Sequence, residues 1–519
     1  MKNKVYANAS IVTGLSVAER GLGFLYRIVL SRLIGAEGLG LYQVALSLFS
    51  LFLTIGTGGL PISVSRLTSK SKAEQDPVGE KKAVSAGILL CLFLTLPVAF
   101  ALFLFGNKIP FLFSDDRTFE VFRILLIGLV FSSVYAVIRG SFWGNKEFLT
   151  PSILEISEET VMVIAGILLL QKVSSPLVGA EKAAWAVVIS YLFSCTASLI
   201  CFFLRGGKLS SPKGYLKPLF SATAPITAVR ASGSIVNSAI AVLLPVMLIR
   251  AGLSESEAMT AFGVVSGMVL PILFIPATLI GSVSLVLVPE LSEDYYRGRT
   301  ERLRKNLRRG LTFSSLIACA LIPFFFALGK DLGRLAYSNP TAGEMIVKSA
   351  PILLPMSLTM ISTSMLNSLG YEKQSFLFYF IGAAAMLLCI LFLPKYTGAY
   401  AYVIGLGVSY VLCALCNLAF LQKKGLLFSK KQDPVKQKQA EKSPSLWIAL
   451  FAVLPISLFG RLCDTLFKKV MGEFFTVALT FLLLSALTLL IYLFAGFIPF
   501  VNPFKAFRLK RHSSKSTRS

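Results

Sequence analysis

Apolar stretches long enough to cross a bilayer alternate with short polar segments along the whole chain. A helix of about 20 predominantly apolar residues spans a hydrocarbon core about 30 Å thick. By that measure crossings fall at roughly 6–33, 38–65, 83–105, 119–138, 152–171, 183–204, 218–249, 257–288, 310–329, 347–369, 374–394, 398–421, 446–467 and 474–499. The pattern predicts an all-α polytopic membrane protein with about 14 transmembrane helices.

The polar segments predict its topology. With the N-terminus in the cytosol, Lys and Arg number about 34 in cytosolic segments, about 12 in external ones and about 5 within the membrane, which favours that orientation strongly. Composition supports the class: 519 residues that are 55% hydrophobic and 15% charged, with mean hydropathy +0.73, are too apolar for a soluble globule of this size. The net charge of +25 concentrates in Thr68 to Lys82, Arg205 to Lys217, Glu290 to Arg309, Gln422 to Ser445 and the tail Lys505 to Ser519. There it suits anchoring beside anionic membrane lipids, and nucleic acid is not an expected partner. The first apolar run lacks a small-residue cleavage site and is expected to be a retained helix, not a signal peptide. Seven of the 8 cysteines lie inside apolar runs and Cys463 stands near a helix end, so disulfides and metal are not expected.

The chain also echoes itself. SVSRLTSKSK (Ser63 to Lys72) resembles LVLVPELSED (Leu285 to Asp294), and SFWGNKEF (Ser141 to Phe148) resembles SLGYEKQS (Ser368 to Ser375), at nearly one offset. This predicts two parallel six-helix lobes, 1–216 (helices one to six) and 217–425 (helices seven to twelve). A basic cytosolic linker (426–445), helices thirteen and fourteen (446–500) and a basic cytosolic tail (501–519) would follow.

Candidate chemistry lies where charge interrupts the crossings. The first crossing carries Glu19, Arg20 and Arg27, and an ionised group near the midplane costs at least about 2.5–3.5 kcal/mol, so such groups usually face a protein interior or a watery cavity. At 100° per residue Thr13, Ser16, Arg20, Arg27 and Ser31 share one side of that helix. Thr223, Thr227, Arg230, Ser234 and Asn237 share a face of helix seven, and Gln43, Ser47, Ser50, Thr54 and Thr57 form a line on helix two. Each stripe alone is also what polar glue between membrane helices looks like. Together, with arginine on two of them, they favour a basic cavity, with Arg20, Arg27, Arg230, Ser16, Gln43 and Asn237 as candidate substrate-binding residues. Guanidinium groups are permanently charged and bind phosphate oxygens bidentately.

Glu19 and Glu159 are candidates for ion coupling or gating. Glu19 lies a quarter turn from Arg20 and fits either a coupling carboxylate or a counter-charge. Glu155, Glu158 and Glu159 open helix five, where a gating salt bridge and a substrate contact are both compatible with the pattern. Gly58, Gly59, Pro271 and Pro276 are hinge candidates. The single histidine, His512, lies in the tail, and no P-loop, metal-ligand cluster or nucleophile motif occurs. No enzyme, catalytic residue, metal or cofactor is therefore expected.

RGLGFLYRIVLSRLIGAEGLGLYQ (Arg20 to Gln43), GTGGLPISVSRL (Gly56 to Leu67), RGSFWGNKEFLTPSILEISEE (Arg139 to Glu159) and VPELSEDYYRG (Val288 to Gly298) resemble one family. It is the stage V sporulation protein B and polysaccharide-transporter branch of the multidrug/oligosaccharidyl-lipid/polysaccharide (MOP) exporter superfamily, related to the lipid II flippases. The resemblance covers helices one to twelve. It implies two six-helix lobes in a V plus two C-terminal helices that border a groove for a lipid tail. It also implies a bacterial plasma-membrane flippase with cytosolic termini, moving an undecaprenyl-linked saccharide by alternating access, with spore-cortex peptidoglycan as one context. Arg20 matches the family's cavity arginine, Tyr26 occupies a second arginine position with Arg27 adjacent, and Glu159 matches the acidic position after the TP motif. The helix-eight arginine of the lipid II flippases has no counterpart in GVVSGMVLP (Gly263 to Pro271). A proton gradient, a sodium gradient and the membrane potential are each compatible as the driving force, and wall-synthesis enzymes are compatible partners. Two other functions fit the same scaffold: a cation-coupled exporter of drugs or metabolites using Glu19, and a non-transporting scaffold for wall synthesis.

Overall fold

The computed structural model describes residues 2–106, 113–427, 446–495 and 497, so nearly all of the basic linker and the basic tail lie outside the described residues. The described chain is helical throughout, with no strand. In order the helices are α1 (Lys2–Thr57), α2 (Leu60–Ala73), α3 (Pro77–Phe105), α4 (Asp116–Gly144), α5 (Leu149–Leu169), α6 (Pro176–Leu204), α7 (Leu216–Arg250) and α8 (Glu255–Gly263). Next come α9 (Leu270–Leu273), α10 (Ile275–Tyr296), α11 (Thr300–Tyr337), α12 (Pro340–Ser349), α13 (Leu353–Ser368), α14 (Glu372–Phe392) and α15 (Pro394–Thr397). The last are α16 (Tyr400–Lys423), α17 (Leu446–Phe467) and α18 (Glu473–Phe494).

Among the described residues 13 helical spans are long and apolar enough to cross a membrane. The difference from the expected count is local. Residues 11–73 register as one span although they hold two predicted crossings, 257–288 divides into two, and α5 carries too many carboxylates to qualify. Several starts follow from a polar cap ahead of proline, whose missing N–H costs nothing at the first helical position. Asp76, Ser175 and Asn339 play this part before Pro77, Pro176 and Pro340.

Gly35 decides the shape of α1. Its backbone has φ 70° and ψ 179°, a combination that L residues with a Cβ rarely adopt, and there the helix folds back. Glu19 on the first limb and Leu53 and Thr57 on the second consequently line a single cavity. The second limb is fastened to α8 at Gly40 and Gly263. A Cβ on Gly263 would run into the Ala36 carbonyl and lie 2.7 Å from the Gly40 nitrogen, so the helices meet backbone to backbone, as small residues permit in membrane bundles.

Among the described residues two compact units emerge from packing: those within 1–271 and 387–405, and those within 272–386 and 406–519. In unit 1 a buried cluster including Leu60, Val64, Val84, Val137, Ile138 and Phe142 joins α2, α3 and α4. In unit 2 Leu303, Leu307, Ile361, Met365, Leu366 and Leu421 play the same role. One hydrogen bond recurs in both. Ser69 Oγ donates to the Gly144 carbonyl at 2.9 Å across a separation of 75 residues, and Ser292 Oγ donates to the Ser368 carbonyl at 2.6 Å across 76. These bonds fall within the motif pairs that echo each other in sequence.

The C-terminal pair α17–α18 packs within unit 2 against α11 through Phe324, Ala327, Leu328, Ile456 and Leu484. An ion cluster secures the same junction: Lys468 Nζ contacts Asp331 at 2.7 Å and Asp464 at 2.6 Å, and Arg334 bridges Asp331 and Glu473. Trp447, Phe451, Pro455, Phe459, Leu487 and Ile491 line an apolar groove of about 720 Å³ on this pair.

Candidate functional site

Spacing brings carboxylates together inside unit 1. Glu155, Glu158 and Glu159 stand at i, i+3 and i+4 of α5 and therefore share a face. Ser132, Tyr135, Ala136 and Arg139 form the corresponding face of α4. With Glu19, Leu53 and Thr57 of α1 and Tyr191 of α6 they enclose a cavity of about 230 Å³. Packing fixes these walls. Tyr191 stacks on Phe49 of α1 with ring centroids 5.8 Å apart, and a Cβ on Gly23 would lie 2.8 Å from Glu159 Oε1, so the glycine admits that carboxylate against α1. Tyr26 likewise packs on Gly166 of α5.

Four carboxylates face one guanidinium in this cavity. Arg139 donates from its NH1 nitrogen to Glu155 Oε1 at 2.9 Å and lies over the rings of Trp143 and Tyr135 at 5.0 and 5.6 Å. Glu19, Glu158 and Glu159 make no ion pair among the described residues, and the Oε2 oxygen of Glu158 is buried without a hydrogen-bond partner. Arg20 and Arg27 are exposed on the first limb of α1 and make no ion pair among the described residues. They remain within electrostatic reach of Glu19 and Glu159 respectively.

The structure thus brings Glu19, Arg20, Arg27 and Glu159 to one region, with Ser16 half-buried one turn before Arg20 on the same limb. Arg230 goes elsewhere. It donates to the Gly58 carbonyl at 3.0 Å, while Thr227 Oγ1 accepts the Gly59 N–H at 2.9 Å, so both α7 residues hold the break between α1 and α2 at Gly58–Gly59. The polar stripes of helices two and seven meet each other. Ser234 donates to Thr54 Oγ1 at 3.1 Å and Ser238 to the Ser47 carbonyl at 2.9 Å, which is interhelical bonding of the gluing kind. Gln43 is half-buried on the second limb and Asn237 is exposed on α7. Pro271 lies in α9 and Pro276 in the first turn of α10, on either side of a break at Phe274, and a π-helical stretch Val264–Val269 precedes them. The boundary between the compact units falls between Pro271 and Ile272.

Arg139 is the residue that sequence reasoning passed over. Its signal was present, because Ser132, Tyr135, Ala136 and Arg139 follow i, i+3, i+4, i+7, but a lone arginine near a helix end reads as an interfacial anchor. Glu155 is its partner, in the salt bridge that the α5 carboxylates left open as one alternative.

A family model described as polysaccharide biosynthesis protein matches residues 5–293, more than half of the chain and every residue of the cavity. The chain belongs to this family. Within it the chain is similar to stage V sporulation protein B of Bacillus subtilis (strain 168), with 26% identity over 361 residues, 66% of this chain and 69% of that one. It is also similar to lipid II flippase MurJ of the same organism, with 22% identity over 489 residues and 88% of each chain covered. The chain is thus similar in sequence both to a sporulation protein and to a lipid II flippase. The fold agrees. Lipid II flippase MurJ in an inward closed conformation superposes with TM-score 0.69 at 15% identity, over 94% of this chain and 98% of that one. An inward-facing multidrug resistance MATE family transporter superposes with TM-score 0.65 at 14% identity, over 78% and 94%. This family member is accordingly a multi-pass membrane protein that shares the fold of these two solved structures.

Proposed function

We propose that the protein is a flippase that moves an undecaprenyl-linked saccharide precursor, a lipid II-like or polysaccharide unit, across the bacterial plasma membrane by alternating access. Both termini lie in the cytosol in this reading, and the carriage is a transport step without bond-making. The observation that carries it is the pair Arg20 and Arg27, two exposed guanidinium groups without an ion pair among the described residues, on a limb that crosses the membrane. A diphosphate-linked sugar must bring two negative charges out of water, and unpaired guanidinium groups offset that cost with charge-assisted hydrogen bonds. The apolar groove on α17–α18 supports the lipid half of the substrate, since it offers a hydrocarbon chain an apolar lining. Lipid membranes are the working environment in this reading, the relative named for sporulation supports a role in spore wall formation, and wall-synthesis enzymes are proposed as partners. Depleting the protein tests the reading: a lipid-linked saccharide should accumulate on the cytosolic face, and unchanged precursor pools on both faces would overturn it.

One feature favours a second reading. The carboxylate-lined cavity suits a cation better than an anion, as in a cation-coupled drug or metabolite exporter. That reading predicts dye efflux that requires an ion gradient together with Glu19 and Glu159.

A further inference from the structure

Charge inside a crossing is costly unless something offsets it, and unit 2 holds two such cations side by side. Arg461 lies within the span Trp447–Phe467 of α17, and Lys330 within the span Thr300–Tyr337 of α11. Both are exposed and make no ion pair among the described residues. Their depth is the same: at about 1.5 Å per residue, Arg461 stands about 9 Å before the end of its span and Lys330 about 10 Å before the end of its own. The Arg461 guanidinium lies over the Phe326 ring at 4.6 Å, and Lys330 follows Phe326 by one turn on the same face of α11. The neighbouring acids are committed elsewhere. Asp331 follows Lys330, and Asp464 lies three residues after Arg461, but Asp331 binds Lys468 at 2.7 Å and Arg334 at 2.8 Å, and Asp464 binds Lys468 at 2.6 Å. With Lys469, the cations at this junction outnumber Asp331, Asp464 and Glu473. Toward the membrane centre the surface turns apolar: Leu454 and Leu458, at i−7 and i−3 from Arg461, share its side of α17 and stand exposed. Arg461 does not line the groove on α17–α18 and lies roughly 120–160° around the helix from Pro455 and Phe459.

We infer that Arg461 and Lys330 bind the phosphate of an acidic phospholipid, a phosphodiester with one negative charge, whose acyl chain lies along Leu454 and Leu458. In the proposed orientation this lipid belongs to the external leaflet, but the site itself does not depend on that orientation. A guanidinium that meets an aromatic ring by its face keeps its N–H edge free, and that edge matches phosphate oxygens. Lys330 adds a point charge one turn from the same ring. Both side chains are long enough to reach from their depth toward the interface where phosphates lie. An anion there offsets the cost of holding two cations at the edge of the hydrocarbon. A zwitterionic phospholipid brings its own cation to the same place and is held less tightly. The bound lipid spans α11 and α17, beside the ion cluster that joins them on the protein side.

The test uses the full chain in micelles of a neutral maltoside and, as probe, phosphatidylglycerol with a photoreactive acyl chain. Illumination and peptide mapping should place label on α17 around Leu454 and Leu458. Unlabelled phosphatidylglycerol should suppress that label at a concentration at least about fivefold lower than phosphatidylcholine requires. Lys330→Gln/Arg461→Gln should lower labelling of α17 by at least about fivefold and leave labelling beside the basic segment Glu290 to Arg309 unchanged. Equal suppression by the two phospholipids, or undiminished labelling of α17 in the folded variant, would overturn the inference and mark the two cations as interfacial anchors only. Stronger suppression by prenyl diphosphate linked to N-acetylglucosamine than by phosphatidylglycerol would also overturn it, because the site would then belong to a diphosphate lipid. Should the double variant fail to fold, the competition on the wild-type protein decides alone.

Discussion

Replacing Arg139 with methionine tests whether the cavity is organised by charge. Methionine keeps most of the stem that lies along Trp143 and Tyr135 and removes only the guanidinium. The pair with Glu155 is close at 2.9 Å, and its side chains are 28% and 23% exposed, so screening is partial. Two unit charges about 4 Å apart attract by about 4 kcal/mol at an effective dielectric constant of 20, and desolvation offsets part of this. Breaking a buried pair from one side typically costs about 3–5 kcal/mol because the other charge is left stranded. With a quarter of each side chain in contact with solvent the expected loss is about 2–4 kcal/mol. Arg139→Met/Glu155→Gln should be more stable than Arg139→Met by about 1–3 kcal/mol, since the stranded carboxylate is neutralised. Thermal unfolding of both variants and of Glu155→Gln in detergent, read as a double-mutant cycle, measures this. Additive effects of the two substitutions would refute the idea that the pair balances the cavity.

Three further outcomes follow from close contacts elsewhere. Gly263→Ala should lower stability by about 1–3 kcal/mol through overpacking against the Ala36 carbonyl, whereas Gly21→Ala, with nothing within 4 Å of the added methyl, should be neutral or slightly stabilising; melting temperatures compare them. Gly35→Ala should cost about 1–2 kcal/mol because φ 70° is retained by the fold, and a scan that finds no loss would contradict the folded-back shape of α1. Lys468→Met should leave Asp331, whose side chain is 1% exposed, short of a cation, and should raise hydrogen exchange across α17 and α18. Adding Asp331→Asn should restore part of the protection.

Apolar length was enough to read the crossings, because the bilayer forces every spanning segment to satisfy its own backbone. Their grouping was harder. Gly35 is a glycine among many in the chain, and only its positive φ marks it as the place where one long helix becomes two limbs. The sequence echo falls on residues that end helices, where Ser69 and Ser292 each bond the carbonyl end of a neighbouring helix. Charge inside a crossing drew attention to Glu19, Arg20 and Arg27, since such charge is costly wherever it occurs. Periodicity could not say what a polar stripe touches. Ser47, Thr54, Thr227 and Ser234 looked cavity-facing and instead bond across the α1–α7 interface, and Arg230 bonds a backbone carbonyl. The Lys468–Asp331 contact joins residues separated by 137 positions, a pairing that no local pattern encodes.

In the proposed function, exposed arginines on a membrane-crossing limb carry a lipid-linked diphosphate sugar through the bilayer. Proteoliposomes holding the purified protein and a fluorescent lipid-linked saccharide test it most directly, with a membrane-impermeant enzyme reporting which leaflet the sugar occupies. The wild-type protein should transfer the sugar between leaflets, and Arg20→Ala/Arg27→Ala should lose at least about tenfold in rate while still folded by its melting temperature. Transfer at the wild-type rate by the folded variant would contradict it.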